Sequence, residues 1–223
     1  MRLPHTQLKN KHRGEDAYII CSGASLDFYD KSFFDNKLTI GVNRVCKFLK
    51  CQYNVHKDER GFVEAVKYLD ESPTLIISKH QFGSLPLPEN KLDIEEDYYY
   101  FTHSHNPNLR GIKINPRTVG NHKIIVSRST ITSAIHIGAY MGAKNIILVA
   151  HDCGTINGKI NASGYSEIIK PLEGDDKYET FVKSEIENDT IVLREWVKAH
   201  YGCNVISLNP FINFGLEGNK YER

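Results

Sequence analysis

Ala17-Tyr18-Ile19-Ile20-Cys21-Ser22-Gly23-Ala24-Ser25-Leu26 is the stretch on which the reading of this chain turns. Its first half is almost continuously apolar and short, which reads as a strand buried on both faces. The run then breaks into small residues. Glycine lets a backbone approach a ligand closely, and serine hydroxyls can bond phosphate or sugar oxygens. Thr39-Ile40-Gly41-Val42-Asn43-Arg44 repeats the pattern of a short apolar strand with a polar tip. Two such tips at the C-terminal ends of parallel strands are where open α/β sheets bind nucleotides. The loop lacks both the three spaced glycines of a dinucleotide fingerprint and the Gly-Lys-Ser/Thr of a phosphate-binding loop.

Outward from that stretch, strand-like runs alternate with helical patterns, the signature of an α/β fold with a mainly parallel sheet. Gln52 to His56 and Thr74 to Ser78 are further strands, with a helix carrying Phe62, Val63, Val66 and Leu69 between them. From His80 to His122 the periodicity fails. Prolines, asparagines, histidines and the run Tyr98-Tyr99-Tyr100-Phe101 suggest an irregular insert with one edge strand, its tyrosines packed under the loop. Regularity returns at Ser129-Thr130, which resemble a helix N-cap. Ile131, Ala134, Ile135, Gly138, Ala139 and Met141 then form an apolar stripe ending near Gly142. Asn145 to Ala150 is the clearest buried strand and ends at His151-Asp152. A polar loop, a long helix with Ile186, Leu193, Trp196 and Val197, and a last strand Asn204 to Ser207 complete the pattern. The expected organisation is a polar leader over 1–16, one domain over 17–210, and a tail over 211–223. The insert spans about 80–122, and a lid-like loop about 153–177.

At 223 residues one domain with a sizeable core is the default. Basic and acidic residues balance at 28 against 27, which argues against a dedicated nucleic-acid binder. The basic Lys9 to Arg13 reads as a solvated leader. No run is long enough to cross a bilayer and Met1 to Arg13 is too polar for a signal peptide, so the expected location is cytoplasmic. The five cysteines are odd in number and scattered, which fits reduced, mostly buried thiols and offers no zinc spacing.

Candidate chemistry sits at the strand ends: Ser22 to Ser25, Asn43-Arg44, His151-Asp152, and the helix start from Thr130 to Ser133. In a parallel sheet these converge on one edge. Each has a plainer reading as well. Ser22-Gly23 can be a tight turn, Asn43 can satisfy loop backbone, and Thr130 can serve only as a cap. His151-Asp152 is least easily explained by structure alone, since a carboxylate directly after an apolar strand has little reason to be there. Asp152 could bind a sugar hydroxyl, coordinate a divalent cation or act as a base. His151 could accept a proton. His56 and Asp58 lie in the same region.

The strand followed by Ser-Gly-Ala-Ser-Leu, then Gly-Val-Asn-Arg, the Thr-Ser helix start, and Gly-Ala-Lys-Asn-Ile-Ile-Leu-Val-Ala-His-Asp together resemble two related groups over residues 17–58 and 129–152, a resemblance that extends to Val205-Ile206-Ser207-Leu208-Asn209-Pro210. One is the bacterial sialyltransferases of glycosyltransferase family 42. The other contains flagellin-modification accessory proteins and an archaeal hydroxymethylpterin diphosphokinase. The resemblance implies a single Rossmann-like domain. From the sialyltransferases it implies that Ser22, Gly23, Ser25, Asn43, Thr132 and Ser133 hold the cytidine monophosphate part of a nucleotide-sugar donor, with Arg44 alongside. Ser22 stands where that family has asparagine, and Ala24 where it has proline. Those enzymes use a lid histidine, whereas Cys153 to Asp189 contains none, leaving His151, Asp152 and Asp58 as proton-transfer candidates. Tyr165 and Tyr178 would be the lid tyrosines near donor phosphate.

The expected activity is therefore sugar transfer from a CMP-linked donor to a glycan or small-molecule acceptor, without a metal. Homo-oligomers are compatible with that reading. Two alternatives remain open at this point. One is a magnesium-dependent diphosphokinase acting on a pterin-like alcohol, with Asp58 and Asp152 on the metal. The other is a binding module that keeps the fold without catalysis.

Overall fold

The computed structural model describes residues 2–57, 73–78, 98–105, 123–165 and 182–209. The helix expected around Phe62 to Leu69, Asp58, Tyr178 and the tail all lie outside the described residues.

An eight-stranded sheet organises the chain. Its strands are β1 (Arg2–Pro4), β2 (Asp16–Ile20), β3 (Leu38–Val42), β4 (Tyr53–His56), β5 (Thr74–Ser78), β6 (Tyr98–Phe101), β9 (Asn145–Val149) and β10 (Asn204–Ser207), in the spatial order β1-β6-β5-β4-β3-β2-β9-β10. Every neighbouring pair is parallel. A separate parallel pair, β7 (His103–His105) with β8 (Ile124–Val126), feeds helix α1 (Thr130–Tyr140). Helix α2 (Asn188–Tyr201) follows a π-helical turn, Val182–Glu187. This is a mainly parallel α/β sheet, the architecture the alternating pattern predicts.

β3 and β4 are buried at every position, as strands covered on both faces must be. α1 is buried all round, wider than the stripe expected from its sequence. Gly138 brings it close to the sheet: a methyl there would already sit 3.3 Å from Ile146 and 3.7 Å from Ile40. On its other side, the imidazole of His136 meets Trp196 and Tyr201 of α2 edge to face. α2 stops at Gly202, whose φ of +67° is a left-handed cap that glycine adopts without steric cost.

Two expectations are corrected. The polar leader is folded into the domain. β1 pairs with β6, Leu8 and His12 are buried, and the amides of Asn10, His12 and Gly14 donate to the carbonyls of Tyr140, Met141 and Gly142. A segment anchored through backbone bonds leaves little hydrophobic periodicity to read. Likewise Tyr98–Phe101 is not an edge strand, since β1 covers its outer side and Phe101 is fully buried.

The chain order makes the site. From β2 the chain steps outward through β3, β4, β5 and β6, then returns to the opposite side of β2 as β9 and β10. The direction therefore reverses between β2 and β9. Loops leaving the C-terminal ends of two such strands diverge to opposite faces, and the crevice between them is where doubly wound sheets place ligands.

Candidate functional site

A cleft of about 610 Å³, counting its open mouth, lies at that crevice. Ser22 and Gly23 line it from the β2 loop, Asn43 from β3, His151, Asp152 and Cys153 from β9, and Ser129 and Ile131 from the start of α1. Each of the four clusters picked out in the sequence thus contributes to one cavity, the last of them only through Ile131.

Gly23 sets the closeness of its two walls. Its amide donates to Ala150 O at 2.9 Å, and a Cβ there would fall within 2.5 Å of Asp152 Cγ and nearer still to Ala150 O. The glycine is required by space, since its φ of −61° is open to any residue. Asp152, 3% exposed, bolts three segments together. Its Oδ2 accepts from Ser25 N at 2.8 Å, and its Oδ1 accepts from Ser25 Oγ and from Asn209 Nδ2 at 2.7 Å. Burial raises the carboxyl's pKa and the Ser25 bonds oppose that rise. With both oxygens engaged, Asp152 and Ser25 hold the cleft together and expose little acceptor capacity to a ligand.

Three non-glycine residues on the cleft wall have left-handed backbone: Asn43 (φ 55°), Ala150 (φ 53°) and Cys153 (φ 49°). Such conformations cost about 1 kcal/mol or more each and concentrate where surroundings hold functional groups in place. At Asn43 the support is visible. Asn54 Nδ2 donates to Asn43 O at 2.7 Å and to His56 Nε2 at 2.6 Å. Gly41 is glycine because a Cβ would strike Asn54 Oδ1. Asn43 lines the cleft, and its Oδ1 is buried and accepts no hydrogen bond among the described residues. An acceptor left in that state awaits a donor.

His151 is buried, and desolvation lowers its pKa to about 4, so the ring is neutral at pH 7. Thr190 Oγ1 donates to Ile186 O at 2.8 Å and therefore accepts from His151 Nε2 at 2.9 Å. The proton sits on Nε2 and the basic lone pair on Nδ1. Cys153 Sγ lies 3.5 Å from Nε2, its thiol pKa pushed well up by burial.

Other candidates stand apart from the cavity. Thr132 and Ser133 are fully buried in the corner between β8 and α1: Thr132 Oγ1 donates to Ser129 O at 2.8 Å, and Ser133 Oγ to Ile125 O at 3.2 Å. They shape the helix start, while Ser129 and Ile131 present to the cleft. Ser129 is also the N-cap, accepting from Ile131 N. Arg44 is not among the cleft-lining residues but stands beside the half-buried Tyr165, whose ring stacks on Phe48 at 5.6 Å. The loop carrying Tyr165 is fastened to the β2 loop through Ala162 N to Ser22 O at 2.9 Å and Ser163 N to the Asp27 carboxylate at 2.9 Å. Asp58 is outside the described residues. Asn54, Cys21 and Asn161 belong to the site or its frame without having been singled out, and Asn209 entered only as part of the C-terminal resemblance. A polar asparagine inside the apolar strand Tyr53–His56 was the one available signal.

Among the described residues no group of three or more histidine, cysteine or acidic side chains could hold a metal ion, and no helix is long and apolar enough to cross a membrane. All five cysteines are free thiols.

No protein-family model matches the sequence, and no curated protein sequence matches it. Solved structures do. The MAf glycosyltransferase of Magnetospirillum magneticum superposes over 92% of this chain with a TM-score of 0.51 and 14% identity. This chain spans only 35% of that protein's length. The sialyltransferase CstII of Campylobacter jejuni, solved with cytidine-5′-monophosphate, matches 92% of this chain and 85% of its own, with a TM-score of 0.55 and 16% identity. At such identities the likeness is one of fold: this chain has the mainly parallel α/β architecture on which those two glycosyltransferases are built.

Proposed function

We propose that the protein is a nucleotide-sugar-dependent glycosyltransferase that takes a CMP-linked sugar and transfers it to a glycan or small-molecule acceptor. The observation that carries this reading is the cleft at the β2/β9 reversal, lined by Asn43, whose buried Oδ1 accepts no hydrogen bond among the described residues. A nucleoside supplies donors for that oxygen, from ribose hydroxyls or an exocyclic amine. Gly23 lets the backbone come close to the ligand, and Ser22, Ser129 and the positive dipole end of α1 suit the phosphate. The fold shared with a sialyltransferase solved with cytidine-5′-monophosphate supports the choice of base.

In this mechanism the phosphate is the leaving group and its charge is met by fixed dipoles that need no reorganisation. His151 Nδ1 takes the acceptor's proton. Its low pKa in the empty cleft makes it a weak base, and a phosphate brought beside it favours the imidazolium and raises that pKa. Asp152 acts as the strut that positions Ser25 and Asn209. The diphosphokinase alternative asks Asp152 to ligate magnesium, and its two oxygens already accept three hydrogen bonds.

Isothermal titration with the 5′-monophosphates of cytidine, uridine, guanosine and adenosine tests the reading. Binding of cytidine monophosphate without magnesium, weakened about tenfold by Asn43→Ala, is expected. No binding of any of the four, with or without magnesium, overturns it.

A further inference from the structure

β4 is buried at every position, yet its second residue is an asparagine with no exposed surface. An amide inside an apolar strand costs stability unless its hydrogen bonds are recovered. Asn54 recovers only part of them. Its Nδ2 donates to Asn43 O at 2.7 Å and to His56 Nε2 at 2.6 Å, while its Oδ1 is buried and accepts no hydrogen bond among the described residues. Those partners fix which way the amide faces. A carbonyl oxygen can only accept, and burial lowers the His56 pKa to about 3, so its neutral ring can accept at Nε2.

A second position is given over to the same amide. Gly41 stands directly opposite Asn54 in the β3–β4 register, and a Cβ on it would fall 2.2 Å from Asn54 Oδ1. Glycine inside a fully buried strand forfeits packing and loses more entropy on folding than any other residue. Two neighbouring strands thus each carry a residue that weakens the core, and the one Asn54 bond that leaves β4 ends on the Asn43 carbonyl. Asn43 opens the 3₁₀ turn Asn43–Lys47 with a φ of 55°, directly after the extended Val42, and it lines the cleft. A non-glycine residue keeps such a left-handed bend only where its surroundings hold it. Cys46 Sγ, 3.8 Å from the same carbonyl, is a much weaker donor than the amide.

We propose that Asn54 is a positioning residue for the ligand: its amide, buried and not itself among the cleft-lining residues, fixes the left-handed turn from which Asn43 meets the nucleotide. The inference rests on the nucleotide reading above and adds the residue that sets Asn43 in place before the ligand arrives. A group already held in its bound geometry loses little freedom on binding, so Asn54 raises affinity without touching the ligand.

The test is a double-mutant cycle read by isothermal titration, using whichever of the four ribonucleoside 5′-monophosphates binds wild type most tightly. The variants are Asn54→Ala, Asn54→Asp, Asn43→Gly, and Asn43→Gly combined with each Asn54 change. Melting curves first establish which of them are folded. Asn54→Ala removes the bond to Asn43 O, and Asn54→Asp keeps the shape but sets an acceptor against that carbonyl, so it decides the matter if the alanine variant does not fold. Each single change at Asn54 should weaken binding about tenfold. Glycine takes a left-handed backbone without steric cost and has no side chain to present. In the Asn43→Gly background, a change at Asn54 should therefore alter affinity by less than twofold, an outcome that a general loosening of the core would not give. If none of the four monophosphates binds wild type, the nucleotide reading falls and this inference with it. If one binds wild type but folded Asn54 variants keep its affinity within twofold, or their loss persists beyond twofold in the Asn43→Gly background, the positioning role alone is overturned.

Discussion

Gly23 shows how a single missing methyl can hold two strand-end loops at contact distance. A Cβ there would overlap Ala150 O and the Asp152 carboxylate, both of them fixed by hydrogen bonds, so neither can give way cheaply. Gly23→Ala is therefore expected to destabilise the fold by about 1–3 kcal/mol, read as a shift in urea midpoint, and to abolish nucleotide binding. An unchanged midpoint would mean the β2 loop has slack that its hydrogen bonds do not suggest. Residues of this kind were legible in the sequence because the apolar run ended so abruptly at Ser22-Gly23. Asp152 was legible as a position and misread as to role. A carboxylate after a buried strand does mark the sheet edge, but its partners, Ser25 and Asn209, lie 127 and 57 residues away. Sequence pattern carries no information about pairings at that range. Thr132 and Ser133 fall to the same limit: hydroxyls at a helix start look alike whether they face a ligand or the preceding backbone.

At the scale of elements, one side chain joins three of them. His136 Nδ1 accepts from Ile125 N of β8 at 2.9 Å, and its Nε2 donates toward Tyr201 OH of α2 at 2.9 Å, while the ring itself belongs to α1. His136→Leu keeps the volume and loses both bonds, leaving the Ile125 amide buried and unsatisfied. A loss of about 2–3 kcal/mol in chemical denaturation is expected, against under 1 kcal/mol for Tyr201→Phe, since Tyr201 is 39% exposed and water can replace its hydroxyl as the acceptor for His136 Nε2. Equal effects of the two changes would remove the Ile125 bond from the account. The strands and both described helices could be read from hydrophobic pattern alone, since runs such as Asn145–Val149 bury four successive residues. β1 could not, because three residues have no period, and neither could the interior place of β6, which depends on β1 covering it.

Across the whole molecule, three buried histidines make folding depend on pH. Desolvation lowers the pKa of His56 and of His136 to about 3 and that of His151 to about 4. Above pH 6.5 these rings are neutral folded or unfolded, and their contribution is complete. As pH falls from about 6.5 toward 4, the unfolded chain binds protons that the folded protein refuses, so each ring withdraws about 1.4 kcal/mol per pH unit. Asp152, its pKa raised by burial, works in the opposite direction but is one group against three. Stability from urea titrations should drop steeply between pH 6 and 5, and a flat profile there would show that at least two of the rings titrate normally. The order of the sheet carries a further consequence, one of timing. β2 lies between β3, its neighbour in sequence, and β9, whose Asn145 aligns with Asp16 from 129 residues further on. Until β9 docks, the β2 loop has one wall and no cleft, and that side of β2 is an open edge. Contacts of such sequence separation form slowly. A chain emerging from the ribosome therefore completes its scaffold's outward half well before the crevice exists, and assembly of the binding site closes the folding reaction.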